Sequence, residues 1–453
     1  MTDQRGTASA PSSPIPSAPP VTRREIFSWA MFDFANSGYT TVVLTAVFNA
    51  YFVGVVAATG ELGSGTATLL WTIATSITNL LVLVSAPVIG AIADQGALKK
   101  RFLLAAAAGC VLFTAGLAFV GEGDVLLGML LLIGSAFMFH TTEDLIAGFL
   151  PEIAKPDDMG RISGYGWSLG YIGGLLVLAV CLAYITWAKG RGATATDYVP
   201  VTMLITAAAF ALAALPTFLW LRERAQRQPF RPGERYFRAG MARVRETLTH
   251  ARQYRDLFRF LVTLAIYYSG IYTVIVLAAV YAQQVMGFDT QGTIFLILVV
   301  NITAAIGALG FGFLQDRFGS VNTLMLALLI WIGALVLAYF VQTQAGFWVV
   351  ANLVGIALGS SQSAGRALVG QFSPPQRSAE FFGLWGVAQK TAAIVGPLCY
   401  GLVAWLTQGN HRLALLTTTA FFIVGLALLL TVNERRGRMA AHAPGTMGDP
   451  AAA

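Results

Sequence analysis

The chain has 453 residues, 56% of them hydrophobic and only 11% charged, where an ordinary soluble domain carries about 25% charged residues. That composition excludes a typical soluble enzyme and a disordered chain alike, and makes lipid the solvent for most of the protein. The formal net charge of +7, from 29 Lys and Arg against 22 Asp and Glu, would suit nucleic acid in another setting; here the placement of the basic residues points to membrane orientation and to no nucleic-acid partner.

A helix needs about 20 apolar residues to cross a hydrocarbon core of about 30 Å. Apolar runs broken by Gly, Pro or charge clusters predict twelve spans, at 26–53, 67–93, 102–121, 125–150, 161–187, 198–221, 257–286, 290–315, 320–342, 345–372, 379–406 and 412–432. The expected fold class is an all-α membrane protein of twelve transmembrane helices in two six-helix halves, 23–221 and 257–432, joined by a basic linker at 222–256. Disordered tails are expected at 1–22, rich in Pro, Ser and Ala, and at 433–453. Arg23-Arg24 before an apolar run resembles an export signal, but the run is long and holds Asp33 and Asn36, which favours a retained first span. Cys110, Cys181 and Cys399 all fall within spans and imply no disulfide framework.

Cytoplasmic loops are enriched in Lys and Arg. With the amino terminus inside, 24 basic residues fall on the cytoplasmic side, three outside (Lys189, Arg191, Arg412) and two within spans (Arg366, Lys390). Both termini are therefore expected in the cytoplasm. Eleven of the 24 are arginines between Arg222 and Arg259, read either as a positive linker or as an amphipathic helix on the anionic inner leaflet.

Six spans, a linker and six more suggest a parallel repeat. After span eight, Gly312-Phe-Leu-Gln-Asp316-Arg317-Phe-Gly319 fits G-x-L-x-D-R-x-G, the pattern of the major facilitator superfamily; after span two, Gly90-Ala-Ile-Ala-Asp94-Gln95-Gly96 is a degraded copy without the Arg. Asp94 and Asp316 lie 222 residues apart, and the same offset carries Asp144 onto Arg366 and His140 onto Gln362. These loops are expected to act as conformational latches: a carboxylate at a helix end accepts hydrogen bonds from a neighbouring helix N-terminus, and those bonds break when the halves rock.

Ionisable groups inside spans cost about 2.5–3.5 kcal/mol on insertion scales and are functional candidates by default. Span one carries a polar stripe from Asp33 and Asn36 to Asn49; span four carries His140, Glu143 and Asp144, span seven Tyr268, span ten Gln362 and Arg366, and span eleven Lys390. All of these except Asn49 are candidate substrate or coupling residues. Asp144 and Arg366 read either as an ion pair between the halves or as substrate contacts, and Asp33 as a cavity wall or a partner of Lys390. His140-x-x-Glu143 has the reverse order of the Glu-x-x-His motif of carboxylate-bridged metal sites, so no metal is assigned. Gly166, Gly170 and Gly174 form a double GxxxG, which most often means close helix packing. Spans three, six, nine and twelve are nearly free of polar groups and are expected to face lipid.

The runs Trp29-Ala-Met-Phe-Asp33-Phe-Ala-Asn36-Ser37-Gly-Tyr39, Leu150-Pro151-Glu152-Ile153-Ala154, Gly160-Arg161-Ile-Ser163-Gly164 and Glu380-Phe-Phe382-Gly383-Leu-Trp-Gly-Val-Ala-Gln-Lys390 resemble the vacuole-effluxer-like family of major facilitators. The resemblance implies a twelve-helix alternating-access transporter and, from the fungal members, amino-acid export. The expected function is secondary transport of a small polar solute, an amino acid among the candidates and proton coupling an option, in a bacterial inner membrane. Exporters of amphipathic drugs, peptides or metal complexes, and a non-transporting sensor of the same fold, are the alternatives. No Walker sequence G-x-x-x-x-G-K-[ST] occurs, so no ATP-binding motif is recognised.

Overall fold

The computed structural model describes residues 20–57, 64–225, 227, 236–249 and 252–442; the tail expected at 1–22 lies almost wholly outside them. Among the described residues, twelve helices are long and apolar enough to cross a membrane. The first half is α1 (Arg23–Val56), α2 (Thr66–Gly96), α3 (Lys99–Phe119), α4 (Val125–Ile153), α5 (Met159–Lys189) and α6 (Ala195–Trp220). Between the halves lies α7 (Tyr236–Thr249). The second half is α8 (Arg255–Gln284), α9 (Gln291–Phe318), α10 (Ser320–Phe340), α11 (Gln344–Phe372), α12 (Pro375–Leu406) and α13 (His411–Leu429), followed by α14 (Glu434–His442). Every span boundary falls within four residues of its sequence expectation, because hydropathy over some 20 residues is a long signal. α3, α6, α10 and α13 turn Leu112, Leu212, Leu329 and Ile423 outward, as expected of lipid-facing helices.

One expectation is corrected and one alternative is narrowed. The segment after 433 is not all tail: Glu434–His442 is helical. Its Glu434 accepts from the Val321 N–H at the start of α10, and its Arg436 bonds the buried Asp256 carboxylate at 2.5 and 2.7 Å. A short charged element looks like a tail by composition, and only its partners hold it. The linker likewise contains a docked helix: Gly240 of α7 lies so close to α2 that a Cβ there would come within 2.7 Å of an Ile92 side-chain carbon.

α1 is not a regular helix. Thr40–Ala46 and Phe52–Val56 are π-helical, with the Val47 N–H reaching the Val42 carbonyl and the Ala57 N–H reaching Phe52. Such widened turns recur at functional sites; the first falls on the polar stripe of span one and the second lies just beyond it.

Across the halves, α5 packs along α9 and α2 along α12. Among the described residues, the hydrogen bonds between halves run from the middle of the bundle to the face that carries both chain ends, and the deepest are Tyr171 to Gln362 and Lys390 to His140. These bonds seal the bundle at that face.

Candidate functional site

The seal is built twice, once per repeat. Asp316 at the end of α9 accepts from the N–H groups of Gly160 and Arg161 at 2.9 and 3.2 Å, the first turn of α5. Asp94 at the end of α2 accepts from Ala379 and Glu380 at 3.2 and 2.8 Å, the first turn of α12. Each carboxylate takes N–H groups that a helix start leaves unpaired and meets the positive end of the helix dipole. The glycines of the motif let the backbones touch. A Cβ at Gly90 would collide with the Ala379 carbonyl, and one at Gly312 would stand 2.9 Å from the Gly160 oxygen. Gly319 ends α9 at φ 87°, a conformation that suits glycine.

Arg317 is the exception among the expected latch residues. It lies exposed over the Phe318 ring, 5.5 Å from its centroid, and makes no ion pair with a described residue. In the first repeat, where Gln95 replaces the Arg, Lys99 supplies the charge. It is fully buried, 3.4 Å from Asp94, paired with Glu152, and bonded to Ser378 Oγ at 2.9 Å.

α7 braces the same joint. Thr247 donates to Glu380 at 2.5 Å, Arg243 lies 3.3 Å from that carboxylate, and Arg377 donates to Thr247 at 2.9 Å. Burial, helped by the adjacent Arg377, pushes the pKa of Arg243 below its ordinary value. Glu223, after α6, caps α3 through the Lys99 and Lys100 N–H groups, and burial pushes its carboxyl above the usual range against their pull. None of this bracing had a sequence signal beyond the arginine content of the linker.

About one turn above the latch, on the side of the bundle toward the chain ends, charges of opposite halves meet. Arg366 on α11 donates to Asp33 on α1 at 2.7 Å, and to the Ser163 hydroxyl and carbonyl on α5 at 3.1 and 2.8 Å. Its guanidinium lies 4.7 Å from the Trp29 ring centroid and 5.3 Å from that of Trp167, both within reach of a cation–π attraction. Gly166 makes the room, since a Cβ there would strike Asp33 and stand 2.5 Å from an Arg366 nitrogen. The GxxxG stripe is thus both a packing face on α1 and the floor of the site.

Lys390 on α12 does not partner Asp33. Its Nζ is 2.7 Å from Nδ1 and 3.2 Å from Nε2 of His140 on α4, and that Nδ1 is also 2.8 Å from Glu143. Nor do Asp144 and Arg366 pair. Asp144 is buried against α12, where a Cβ at Gly386 would come within 2.5 Å of its oxygen, and its Oδ2 has no hydrogen-bond partner among the described residues.

The repeat offset explains this without predicting contact between equivalent residues. His140 and its equivalent Gln362 each bond a side chain of the opposite half, Lys390 on α12 and Tyr171 on α5. Asp144 and its equivalent Arg366 likewise lie against α12 and α5. The offset relates two interfaces; it does not join their members.

Asn36 accepts from Thr142 at 3.0 Å and ties α1 to α4 within the first half. Tyr268 is buried with its hydroxyl unpaired, beside Tyr272, which donates to Gln389 at 3.0 Å. Ser163, Trp29, Trp167, Gly166 and Tyr171 were missed as site residues. Trp29, Ser163 and Gly166 stood in motifs that sequence reading had singled out; Trp167 and Tyr171 did not.

Asp94, Asp316 and His140 thus bond across the halves, beside the buried Asp33–Arg366 pair. Twelve spans in two related halves, with helix-end carboxylate latches between them, define a major facilitator transporter. Solved structures agree in fold: the proton:xylose symporter XylE matches at a TM-score of 0.70 with 15% identity, covering 92% of this chain and 98% of that one. A bacterial homologue of the iron transporter ferroportin in an outward-facing state matches at 0.68 with 12% identity, covering 90% and 99%.

The model of the family described as "Vacuole effluxer Atg22 like" matches residues 66–442, and the chain belongs to that family. It is 30% identical over 412 residues to an uncharacterized MFS-type transporter, YxiO, of Bacillus subtilis (strain 168), covering 90% of this chain and 94% of the relative. To autophagy-related protein 22 of Saccharomyces cerevisiae (strain ATCC 204508 / S288c) it is 24% identical over 367 residues, 72% of this chain and 68% of that one. The chain spans about half the length of some fungal relatives, 54% of autophagy-related protein 22 of Yarrowia lipolytica (strain CLIB 122 / E 150).

Proposed function

We propose that this transporter carries small zwitterionic solutes, amino acids first among them, by proton-coupled alternating access in a bacterial inner membrane with both termini cytoplasmic. On this reading the sealed face is cytoplasmic and the structure is an outward-facing state. The basic-residue ledger supports the orientation, and the family description of a vacuole effluxer supports an exporter.

The observation that carries the reading is the Asp33–Arg366 pair at 2.7 Å. An isolated buried charge is very costly, and a pair is tolerated because each member satisfies the other. A zwitterion brings the same two charges and can exchange with the pair, its carboxylate going to Arg366 or Lys390 and its ammonium to Asp33, Glu143 or Asp144. A singly charged solute would leave one protein charge uncompensated. Buried polar atoms without partners among the described residues, Tyr267 and Tyr268 hydroxyls, Ser363 Oγ, Asp144 Oδ2 and the Trp167 and Trp385 indole N–H groups, give further bonds to a polar ligand, since such groups are normally satisfied.

Coupling to protons runs through His140. A neutral imidazole Nδ1 either accepts from Lys390 or donates to Glu143, and cannot do both. Protonation makes both nitrogens donors, keeps the Glu143 bond and repels Lys390. The bond between halves is thereby weakened when the proton arrives, which shifts the balance of states. The test is counterflow of a panel of labelled amino acids in proteoliposomes, with and without a pH gradient. Transport of at least one amino acid, lost in Asp33→Asn and Lys390→Ala, is expected; flux unchanged in those variants sinks the site assignment.

A further inference from the structure

A cleft of about 690 Å³ opens at the termini-bearing ends of α8 and α13, lined by Arg252, Arg255, Phe258, Arg259, Val262, Thr263, Leu428 and Thr431. We propose that it is a binding site for an anionic phospholipid. Three arginines and no carboxylate line it. Within α8, Arg255, Arg259 and Val262 follow at steps of four and three, so they share one helix face; the stripe grades from cationic at the helix end to apolar toward its middle. The grading has the polarity of a lipid, phosphate at the rim and acyl chain below.

Partnering separates this patch from the other basic residues of the face. Arg224, Arg243, Arg377, Arg436 and Arg438 are spent on Glu25, Glu380, Glu246, Asp256 and Asp157. Arg252 and Arg255 are exposed and have no acidic partner among the described residues. Arg259 bonds the Thr431 carbonyl at 3.2 Å and makes no ion pair within 4 Å among the described residues, although its charge acts on Asp256. Asp256, the nearest carboxylate in sequence, is buried and occupied by Arg436. Below the arginines, Val262 is 57% exposed, an apolar surface for an acyl chain. Basic clefts between membrane helices at the headgroup level bind anionic lipid headgroups on this physics.

The proposal is tested by native mass spectrometry of the detergent-solubilised full chain titrated with dioleoyl phosphatidylglycerol, dioleoyl phosphatidylcholine or glycerol phosphate. The parent is expected to retain phosphatidylglycerol over phosphatidylcholine. Near-surface arginines contribute about fivefold each to such binding, so Arg252→Gln/Arg255→Gln lowers retention about 25-fold. Arg252→Lys/Arg255→Lys keeps most of it, because the charge remains, and Arg238→Gln/Arg245→Gln on α7 keeps all of it. Equal retention of the two lipids, no change in the Gln variant, equal loss in the α7 variant, or full competition by glycerol phosphate would each overturn the proposal.

Discussion

Asp316→Ala removes the second-repeat latch while leaving the central charges in place. It deletes two hydrogen bonds, to the N–H groups of Gly160 and Arg161. Bonds to a charged group contribute about 1.5–3 kcal/mol each, and a carboxylate at a helix start about 0.3–1 kcal/mol more. Asp316 is partly exposed, so the low end applies: about 3 kcal/mol for the pair, or about a 150-fold shift from the sealed state toward the opened one. Asp316→Asn keeps an acceptor oxygen but not the charge, and should shift the balance by about half as much in free energy. The assay is a spin-label distance distribution across the sealed face, with labels at Lys155 and Arg317, both exposed. Exposed Cys399 is replaced by Ser; Cys110 and Cys181 are buried. A longer-distance population should grow in the order parent, Asn, Ala. An identical distribution in parent and Asp316→Ala would refute the latch.

Other outcomes follow from the same geometry. Gly90→Val forces a side chain into the Ala379 carbonyl; overpacking costs about 1–3 kcal/mol, and the same distance measurement should show the sealed state depleted. Arg366→Ala strands the buried Asp33 carboxylate, and breaking such a pair costs about 3–5 kcal/mol. Its melting temperature in detergent should fall well below that of Asp33→Asn/Arg366→Gln, which removes both charges; both variants should lose transport. Thr247→Val leaves the Glu380 oxygen short of a bond, and amide hydrogen exchange in α7 should rise with little change in the transmembrane helices.

The spans were legible because a helix that meets lipid on one side and packed protein on the other must be apolar along its length. The latch was legible because Gly312 to Gly319 packs a turn, a close approach and a carboxylate into eight residues. The pairing inside the bundle was not. Arg366 chooses Asp33 across 333 residues because α1, α5 and α11 meet at Gly166, a tertiary fact that no local pattern encodes. The repeat offset suggested Asp144 as its partner, since it marks symmetry but carries no information on which helices touch. Lys99 in place of the missing latch Arg was hidden for a similar reason: its five-residue separation from Asp94 reads as loop charge until both are seen buried against Glu152. The helix at Glu434–His442 escaped because composition averages over partners.

The central claim is that the paired opposite charges buried between the halves select a zwitterion. Counterflow of one transported amino acid against its amine and its acid analogue, the first lacking the carboxylate and the second the ammonium, tests it most directly. The account predicts that the zwitterion alone is carried by the parent and that Asp33→Asn loses it. Equal flux of either singly charged analogue through the parent protein would contradict it.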